Sequence, residues 1–209
     1  MIVLGLDTCL SICSVAIRDG ERVRASAREV MARGHQERLA PMAQAVMAEA
    51  GLAFTELHRI AVTVGPGSFT GLRVGIAFAK GLAAALDLPT VGVGTLEALA
   101  AEADGLVFAV VDARRGQVYV QGFDDGRALM APDAVTAETA AARIAELSMG
   151  RPMTLVGSGA ALVADLAPTA AIIPAEGADA RHVARLAASR EPKPLKPLYL
   201  RAPDAKLPA

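Results

Sequence analysis

A glycine-rich stretch, GPGSFTGLRVG at residues 65–75, has the composition best suited to chemistry in this chain. An apolar run, IAVTV at 60–64, precedes it, and a segment rich in small residues follows at 76–86. A glycine-rich turn between a strand and a helix is typical of phosphate sites, because backbone N–H groups at the helix start point at the anion. Phosphate binding is therefore the first hypothesis to weigh against a purely structural turn.

Two known phosphate motifs do not fit the stretch. A P-loop needs Gly-Lys-Ser/Thr, with the lysine reaching the distal phosphates, but Leu72 and Arg73 follow Gly71 here. The dinucleotide fingerprint GxGxxG needs a third glycine where Thr70 stands. The acid that the fingerprint requires further along, Asp87, precedes the next predicted strand instead of ending it. Both motifs are rejected.

Two interpretations of the stretch remain open. In the first, N–H groups at the helix start hold an anion with help from Ser68, Thr70 and Arg73. In the second, Gly65 and Gly67 allow a tight turn, and Ser68 or Thr70 caps the helix. The residue types alone slightly favour the structural turn.

The spacing of the histidines argues against a metal site on one helix. His35 opens a predicted helix, but position 39, one turn further on, is a leucine, and no HxxxH occurs in the chain. We expect His35 to be a helix-start or interface residue. There is no GxSxG motif, and Cys9 and Cys13 are interpreted as small apolar residues. The sequence thus predicts no metal site and no nucleophilic triad.

The elements that would position these residues repeat once along the chain, each half in the order βββαβαβα. The first half has predicted strands at 2–7, 13–19, 21–30, 60–64 and 89–93 and helices at 35–51, 72–86 and 95–103. The second has predicted strands at 105–112, 117–123, 127–131, 153–157 and 170–174 and helices at 136–147, 160–166 and 179–190. Gly51 is the expected C-cap of the first helix, and Thr95 the expected N-cap of the third.

Two tandem units of this kind predict an α/β protein with two similar domains, 1–104 and 105–209, facing a cleft as in the actin-like or Hsp70-like (ribonuclease H-like) fold. An ATPase of this fold needs an acid and a hydroxyl in its first hairpin and small residues in the second. Long arginines stand in the second hairpin and argue against an efficient ATPase in this chain alone, while LVGSGA at 155–160 resembles an adenosine loop. The candidate nucleotide- or anion-binding residues are Asp7, Thr8, Gly65, Gly67, Ser68, Thr70, Arg73, Arg114 and Arg115.

The composition limits the classes of partner. Of the 209 residues, 21 are basic and 22 acidic, and the two signs are interspersed, so direct binding of tRNA or DNA is not indicated. No basic segment precedes the first apolar strand, and no apolar run in the sequence has the length of a membrane span. We expect a cytoplasmic protein that does not associate with membranes. The proline-rich tail at 191–208 is expected to run extended over the surface.

Several motifs together resemble the TsaB (YeaZ) family: GPGSFTGLRVG, the opening LDTCLSICSVAI, HQERLAPM, VVDARRGQVYV and YLR at 199–201. The resemblance is dense over residues 1–120 and weak over 125–190. It implies the actin-like fold and the role of a non-catalytic subunit of the bacterial complex that installs threonylcarbamoyl on N6 of adenosine 37 in ANN-decoding tRNAs. The implied partners are the paralogous TsaD subunit, which carries the histidine pair and performs the transfer, and the ATPase TsaE.

The resemblance further implies that the isolated chain holds no cofactor, that ATP and metal belong to the partner subunits, and that tRNA is met only through the complex. Pairing is expected through helices 35–51 and 72–86, and a homodimer through the same helices is plausible. We expect Met42, Val46 or Met47 to face outward. The alternatives are an independent ATPase or small-molecule kinase of this fold and, less favoured, a glycoprotease-like metallopeptidase. The predicted interface residues are His35, Arg38, Leu39, Met42, Val46, Arg73, Ile76 and Lys80.

Overall fold

The computed structural model describes residues 1–164 and 170–201. Residues of the first half form a five-stranded sheet in the order β3-β2-β1-β4-β5, in which β1, β2 and β3 are antiparallel neighbours and β4 and β5 run parallel to β1. The strands are β1 (Ile2–Asp7), β2 (Ile12–Asp19), β3 (Arg22–Val30), β4 (Arg59–Thr63) and β5 (Thr90–Val93). The helices of this half are α1 (His35–Ala50), α2 (Phe69–Leu86) and α3 (Thr95–Ala100).

The second half builds a mixed sheet in the order β11-β10-β6-β7-β8, with β9 also paired to β7. Its strands are β6 (Leu106–Arg114), β7 (Gln117–Asp124), β8 (Arg127–Ala128), β9 (Asp133–Thr136), β10 (Thr154–Val156) and β11 (Ala171–Ile173). Its helices are α4 (Ala137–Ser148), α5 (Ala160–Ala164) and α6 (Ala180–Ala188). The α/β class and the two sheets, one from each half, are confirmed.

Helices α3 and α6 each lie against the sheet of the opposite half. The last described helix, α6, contacts β1, β2 and β4, whereas α3 contacts β6 and β7. One apolar cluster therefore joins Val3 and Val91 of the first sheet to Val107 of the second through Leu99 and Val183. The close approach of α6 requires Gly5, because a Cβ atom there would lie 2.4 Å from the carbonyl oxygen of Ala180. The strands divide between residues 93 and 106, but the helices cross that division.

Helix α2 begins three residues earlier than predicted, because Ser68 is its N-cap and accepts a hydrogen bond from the N–H of Gly71 at 3.3 Å. Of the described helices it alone is long and apolar enough to cross a membrane. Its composition follows from burial of one face, since Leu72, Ile76 and Ala79 lie in the core beneath it. No apolar segment of this length was expected from the sequence, and helix α2 corrects that expectation.

Three other features differ from the sequence prediction. The third strand of the second half is only two residues long at β8, and an unpredicted strand, β9, occupies Asp133–Thr136 and ends at the first residue of the helix predicted at 136–147. Helix α4 follows at once, because Thr136 is extended and its hydroxyl accepts from the N–H of Thr139. Thr95 is not an N-cap: it is the buried first residue of α3, and Gly94 takes the cap position. Gly51 is confirmed as the C-cap of α1.

Candidate functional site

An open cleft of about 860 Å³ is lined by residues of both halves. Its walls are the start of α1, the start of α2, the β6–β7 hairpin and residues 198–201 at the end of the described chain. A volume of this size lies in the range of small-molecule pockets. Among the predicted anion ligands, Gly67, Ser68, Thr70 and Arg114 line this cleft.

Asp7 does not reach the cleft, although it was a candidate phosphate-site acid. It is fully buried, and its Oδ1 accepts hydrogen bonds from the Thr63 hydroxyl at 2.5 Å and the Cys9 N–H at 3.2 Å. Its Oδ2 accepts from the N–H of Ala178 at 3.2 Å, just before α6. Burial raises the pKa of Asp7 to about 6, and the hydrogen bonds from Thr63, Cys9 and Ala178 limit the rise. The role of Asp7 is to hold β1, β4 and the α6 approach together.

Thr8 is also buried, and it is joined to the glycine-rich stretch. Its hydroxyl donates to the carbonyl oxygen of Gly71 at 2.7 Å. A Cβ atom at Gly71 would lie 2.1 Å from the Thr8 carbonyl oxygen, and one at Gly67 would lie 2.3 Å from that of Cys9. These glycines allow the start of α2 to press against the backbone of the β1–β2 turn. Asp7 and Thr8 are therefore removed from the candidate anion-binding set.

Gly65 and Arg73 do not line the cleft themselves, but each lies against residues of its wall. A Cβ atom at Gly65 would lie 2.5 Å from the carbonyl oxygen of Leu198, so the C-terminal segment needs a glycine there. The guanidinium of Arg73 lies 3.6 Å above the ring of Phe69 and donates from Nε to the hydroxyl of Tyr199 at 3.3 Å. Neither Gly65 nor Arg73 lines the cleft, and their part in anion binding stays a prediction. Sequence reasoning missed this cluster, for which the only signal was the YLR motif.

The β6–β7 hairpin turns through Arg114 and Arg115, which both have left-handed backbone conformations, with φ of 65° and 56°. Arg114 faces the cleft with 84% of its side chain exposed and lies 3.3 Å from Asp112. The carboxylate of Asp112 also accepts from the N–H of Arg114 at 2.7 Å. Arg115 does not line the cleft. The LVGSGA loop packs against strand β6 of this hairpin, because a Cβ atom at Gly157 would lie 2.4 Å from the carbonyl oxygen of Val110.

All four apolar interface residues predicted from the sequence belong to the core. Leu39, Met42 and Val46 of α1 and Ile76 of α2 are buried in the cluster beneath these helices. The expectation that Met42, Val46 or Met47 faces outward is wrong, because the apolar stripe of α1 is the side that covers β2 and β3. In the isolated chain their side chains are covered by the core rather than presented on the surface.

The outer face of α2, defined here as Arg73, Ala77, Lys80, Gly81 and Ala84, is exposed along the helix. Its members follow one another at intervals of three and four residues, apart from the adjacent Lys80 and Gly81, so they share one side of the helix. A Cβ atom at Gly81 would meet no atom within 4 Å. Nothing in the described chain covers this backbone, which is therefore open to close approach.

The cysteines are buried and keep their protons. Burial raises the pKa of Cys9 to about 12 and that of Cys13 to about 11, so neither is a thiolate near neutral pH. Within residues 1–164 and 170–201, no three His, Cys, Asp or Glu side chains are grouped so that they could hold a metal ion.

Two mixed sheets around a cleft, with helices exchanged between halves, define a two-domain protein of the actin-like ATPase fold. The (R)-2-hydroxyglutaryl-CoA dehydratase component A of Acidaminococcus fermentans shares this fold, with a TM-score of 0.55 at 11% identity over 88% of this chain and 96% of that one. YeaZ from Pseudomonas aeruginosa matches with a TM-score of 0.82 at 30% identity, over 95% of this chain and 99% of that chain.

Sequence relatives identify the family of this chain within the actin-like fold. An uncharacterized protein of Mycobacterium tuberculosis is 38% identical over 187 residues, which is 90% of this chain and 82% of that protein. The tRNA threonylcarbamoyladenosine biosynthesis protein TsaB of Escherichia coli is 41% identical over 124 residues, which is 57% of this chain and about half, 53%, of that protein. The family model described as TsaD, tRNA N6-adenosine threonylcarbamoyltransferase, matches residues 27–167. The chain belongs to the TsaB (YeaZ) family.

Proposed function

We propose that this chain acts in tRNA threonylcarbamoyladenosine biosynthesis as a non-catalytic subunit that binds and supports a catalytic TsaD paralogue. The non-catalytic role is inferred from the burial of the polar residues at the first hairpin. Asp7 and Thr8, the acid and hydroxyl that an ATPase of this fold would present to phosphates, are buried and hydrogen-bonded within the chain's own core. The start of α2 lies against Thr8, since a Cβ atom at Gly71 would lie 2.1 Å from the Thr8 carbonyl oxygen.

The helix that begins at His35 supports the same conclusion. A metal-binding helix places its second histidine one turn after the first, and that position holds Leu39, which is buried under α1. A metallopeptidase function therefore has no ligand set on this helix. Metal and ATP are proposed to belong to the partner subunits, TsaD and the ATPase TsaE.

The outer face of α2 is the proposed pairing surface. Small residues at Ala77, Gly81 and Ala84 let a second helix approach the backbone closely, and Arg73 and Lys80 flank them with positive charge. Arg38 is exposed on α1, where it pairs with Glu29 of β3, and α1 as a whole contacts α2. A second copy of the chain would use the same face, and tRNA would be met through the complex.

The test is size-exclusion chromatography with light scattering, on the chain alone and mixed with its TsaD paralogue. We expect a one-to-one heterodimer with the wild-type chain and its loss with Ala84→Glu on the outer face of α2. The matched control is Ala142→Glu, the same substitution at an exposed position of α4. If both variants pair as the wild type does, the outer face of α2 is not the interface.

Catalysis is tested separately by isothermal calorimetry of the isolated chain with magnesium-ATP. We expect no turnover. Hydrolysis of ATP by the purified chain, abolished by a substitution that lines the cleft, would make it an enzyme and would overturn the non-catalytic role.

A further inference from the structure

We propose that the exposed rings of Phe69 and Tyr199 extend the outer face of α2 and bind an apolar side chain of a protein partner whose contact surface also carries Asp or Glu. This inference rests on the proposed pairing function. It adds the C-terminal segment, residues 195–201, to the surface that the partner contacts.

The exposed aromatic side chains of the protein lie together at one place. The chain has five Phe, two Tyr and no Trp, and among the residues that the structure describes only the rings of Phe69 and Tyr199 are exposed, at 36% and 43%. Their centroids lie 5.3 Å apart, although the two residues come from opposite halves of the chain. Exposed aromatic side chains are typical of the residues that contribute most to protein–protein binding, so this pair indicates a contact surface.

The aromatic pair continues the outer face of α2. Phe69 stands four residues before Arg73, the first member of that face, so both lie on the same side of the helix. Arg73 links the two rings, because its guanidinium lies 3.6 Å above the ring of Phe69 and its Nε donates to the hydroxyl of Tyr199 at 3.3 Å. One surface therefore continues from the small residues of α2 to the C-terminal segment.

The C-terminal segment fixes the position of Tyr199 in the isolated chain. Leu195 is buried in the apolar cluster beneath α1 and α2. The N–H of Leu198 donates to the carbonyl oxygen of Val64 at 2.7 Å. A ring that is already held in place loses little conformational entropy when a partner binds, which favours affinity.

The charges of this surface indicate the kind of partner. Arg73 and Lys80 are the only charged residues of α2, and both are exposed. Within residues 1–164 and 170–201, neither forms an ion pair with a carboxylate. A second copy of the chain would bring the same two cations to the same face, where like charges repel. A different protein with acidic side chains would pair with them, which favours a heterologous partner.

The test is isothermal calorimetry of the full chain with its TsaD paralogue, with circular dichroism to check that each variant is folded. We expect Tyr199→Ala and Phe69→Ala each to weaken the heterodimer by about tenfold or more, because each removes one ring of the pair. The double variant should lose less than the product of the two single losses, because the rings form one contact. Tyr199→Phe keeps the ring and should bind within about threefold of the wild type.

The acidic character of the partner is tested with Lys80→Gln. This variant should weaken the heterodimer and make its affinity less dependent on salt concentration, because one cation of the surface is removed. An unchanged salt dependence would mean that Lys80 does not meet an acidic side chain, and would overturn that part of the proposal.

The control variant is Leu129→Ala, which removes an exposed apolar side chain outside α2 and outside the cleft and should pair as the wild type does. Folded Tyr199→Ala protein that pairs with wild-type affinity, while Ala84→Glu does not pair, would overturn the aromatic extension and leave the pairing function standing. If the wild type itself forms no heterodimer, the pairing function fails and this inference fails with it. The two failures are therefore distinguishable.

Discussion

Thr8 and Gly71 lie in direct contact: the Thr8 hydroxyl donates to the Gly71 carbonyl at 2.7 Å, and a Cβ atom at Gly71 would lie 2.1 Å from the Thr8 carbonyl oxygen. The residues are 63 positions apart. This contact explains why the turn is rich in glycine. The turn resembles a phosphate loop, but its glycines approach a neighbouring chain segment and not a phosphate. The glycines fit the start of α2 against the β1–β2 turn.

Gly71→Ala is expected to lower the free energy of unfolding by roughly 2–3 kcal/mol, because the new methyl group meets a backbone atom that cannot rotate away. Urea unfolding followed by circular dichroism measures the change. A midpoint equal to that of the wild type would show that α2 can shift away from Thr8 without cost.

Gly81→Gln is expected to act in opposite directions on stability and on pairing. It should stabilise the isolated chain by about 0.5–1 kcal/mol, because Gly81 is exposed within a helix and its added side chain meets no atom. It should weaken the heterodimer, because the side chain stands on the outer face of α2. Thermal unfolding and light scattering measure the two effects, and a heterodimer of unchanged affinity would contradict the second.

Leu39→Arg and Met42→Glu are expected to unfold the chain, since both place a charge in the core beneath α1. Circular dichroism of the purified variants would show loss of the cooperative transition. The matched control is Arg38→Ala, which removes an exposed ion pair with Glu29 and should change stability by about 1 kcal/mol or less. Folded Leu39→Arg protein that has lost only its partner would restore Leu39 as an interface residue.

The stability of the chain is expected to carry a pH dependence from Asp7. Its folded-state pKa, about 6, lies above the unfolded value, so the folded state binds the extra proton between these values. The Asp7 contribution is therefore full below pH 4 and is lost as the pH rises through 6, by an amount on the order of 3 kcal/mol.

Acids such as Asp133 and Asp179 have lowered pKa values and give the opposite slope, so Asp7 must be isolated by comparison with Asp7→Asn. The wild type is expected to lose stability relative to that variant between pH 4 and 7 in denaturant unfolding. A relative gain over this interval would mean that the pKa of Asp7 is lowered instead.

The sequence predicts most of the strands and helices because their signals are local. The apolar spacing of α1, its Gly51 cap and the buried apolar run of β1 are readable within one segment, and the structure confirms them. β9 was missed because Asp133–Thr136 is short and its pairing with β7 is a tertiary property.

The candidate site was less predictable, for two physical reasons. A helical apolar stripe has one buried side, but spacing alone does not say whether a sheet or a partner covers it, so Met42 and Val46 were placed on the wrong side. Glycine in a turn serves a ligand or a neighbouring chain segment equally well, and the neighbour of Gly71 is Thr8, which is distant in sequence. The buried imidazole of His35 gave no sequence signal beyond its place at a helix start.

The exchange of α3 and α6 has a consequence for synthesis on the ribosome. The face of β1, β2 and β4 that α6 covers cannot be closed until residues 180–188 have been translated. The emerging first half therefore exposes an apolar sheet surface while most of the remaining chain is made. Its final closure joins segments from opposite ends of the polypeptide, a high-contact-order step that slows folding. A nascent chain stopped before residue 180 is accordingly a natural client for a chaperone.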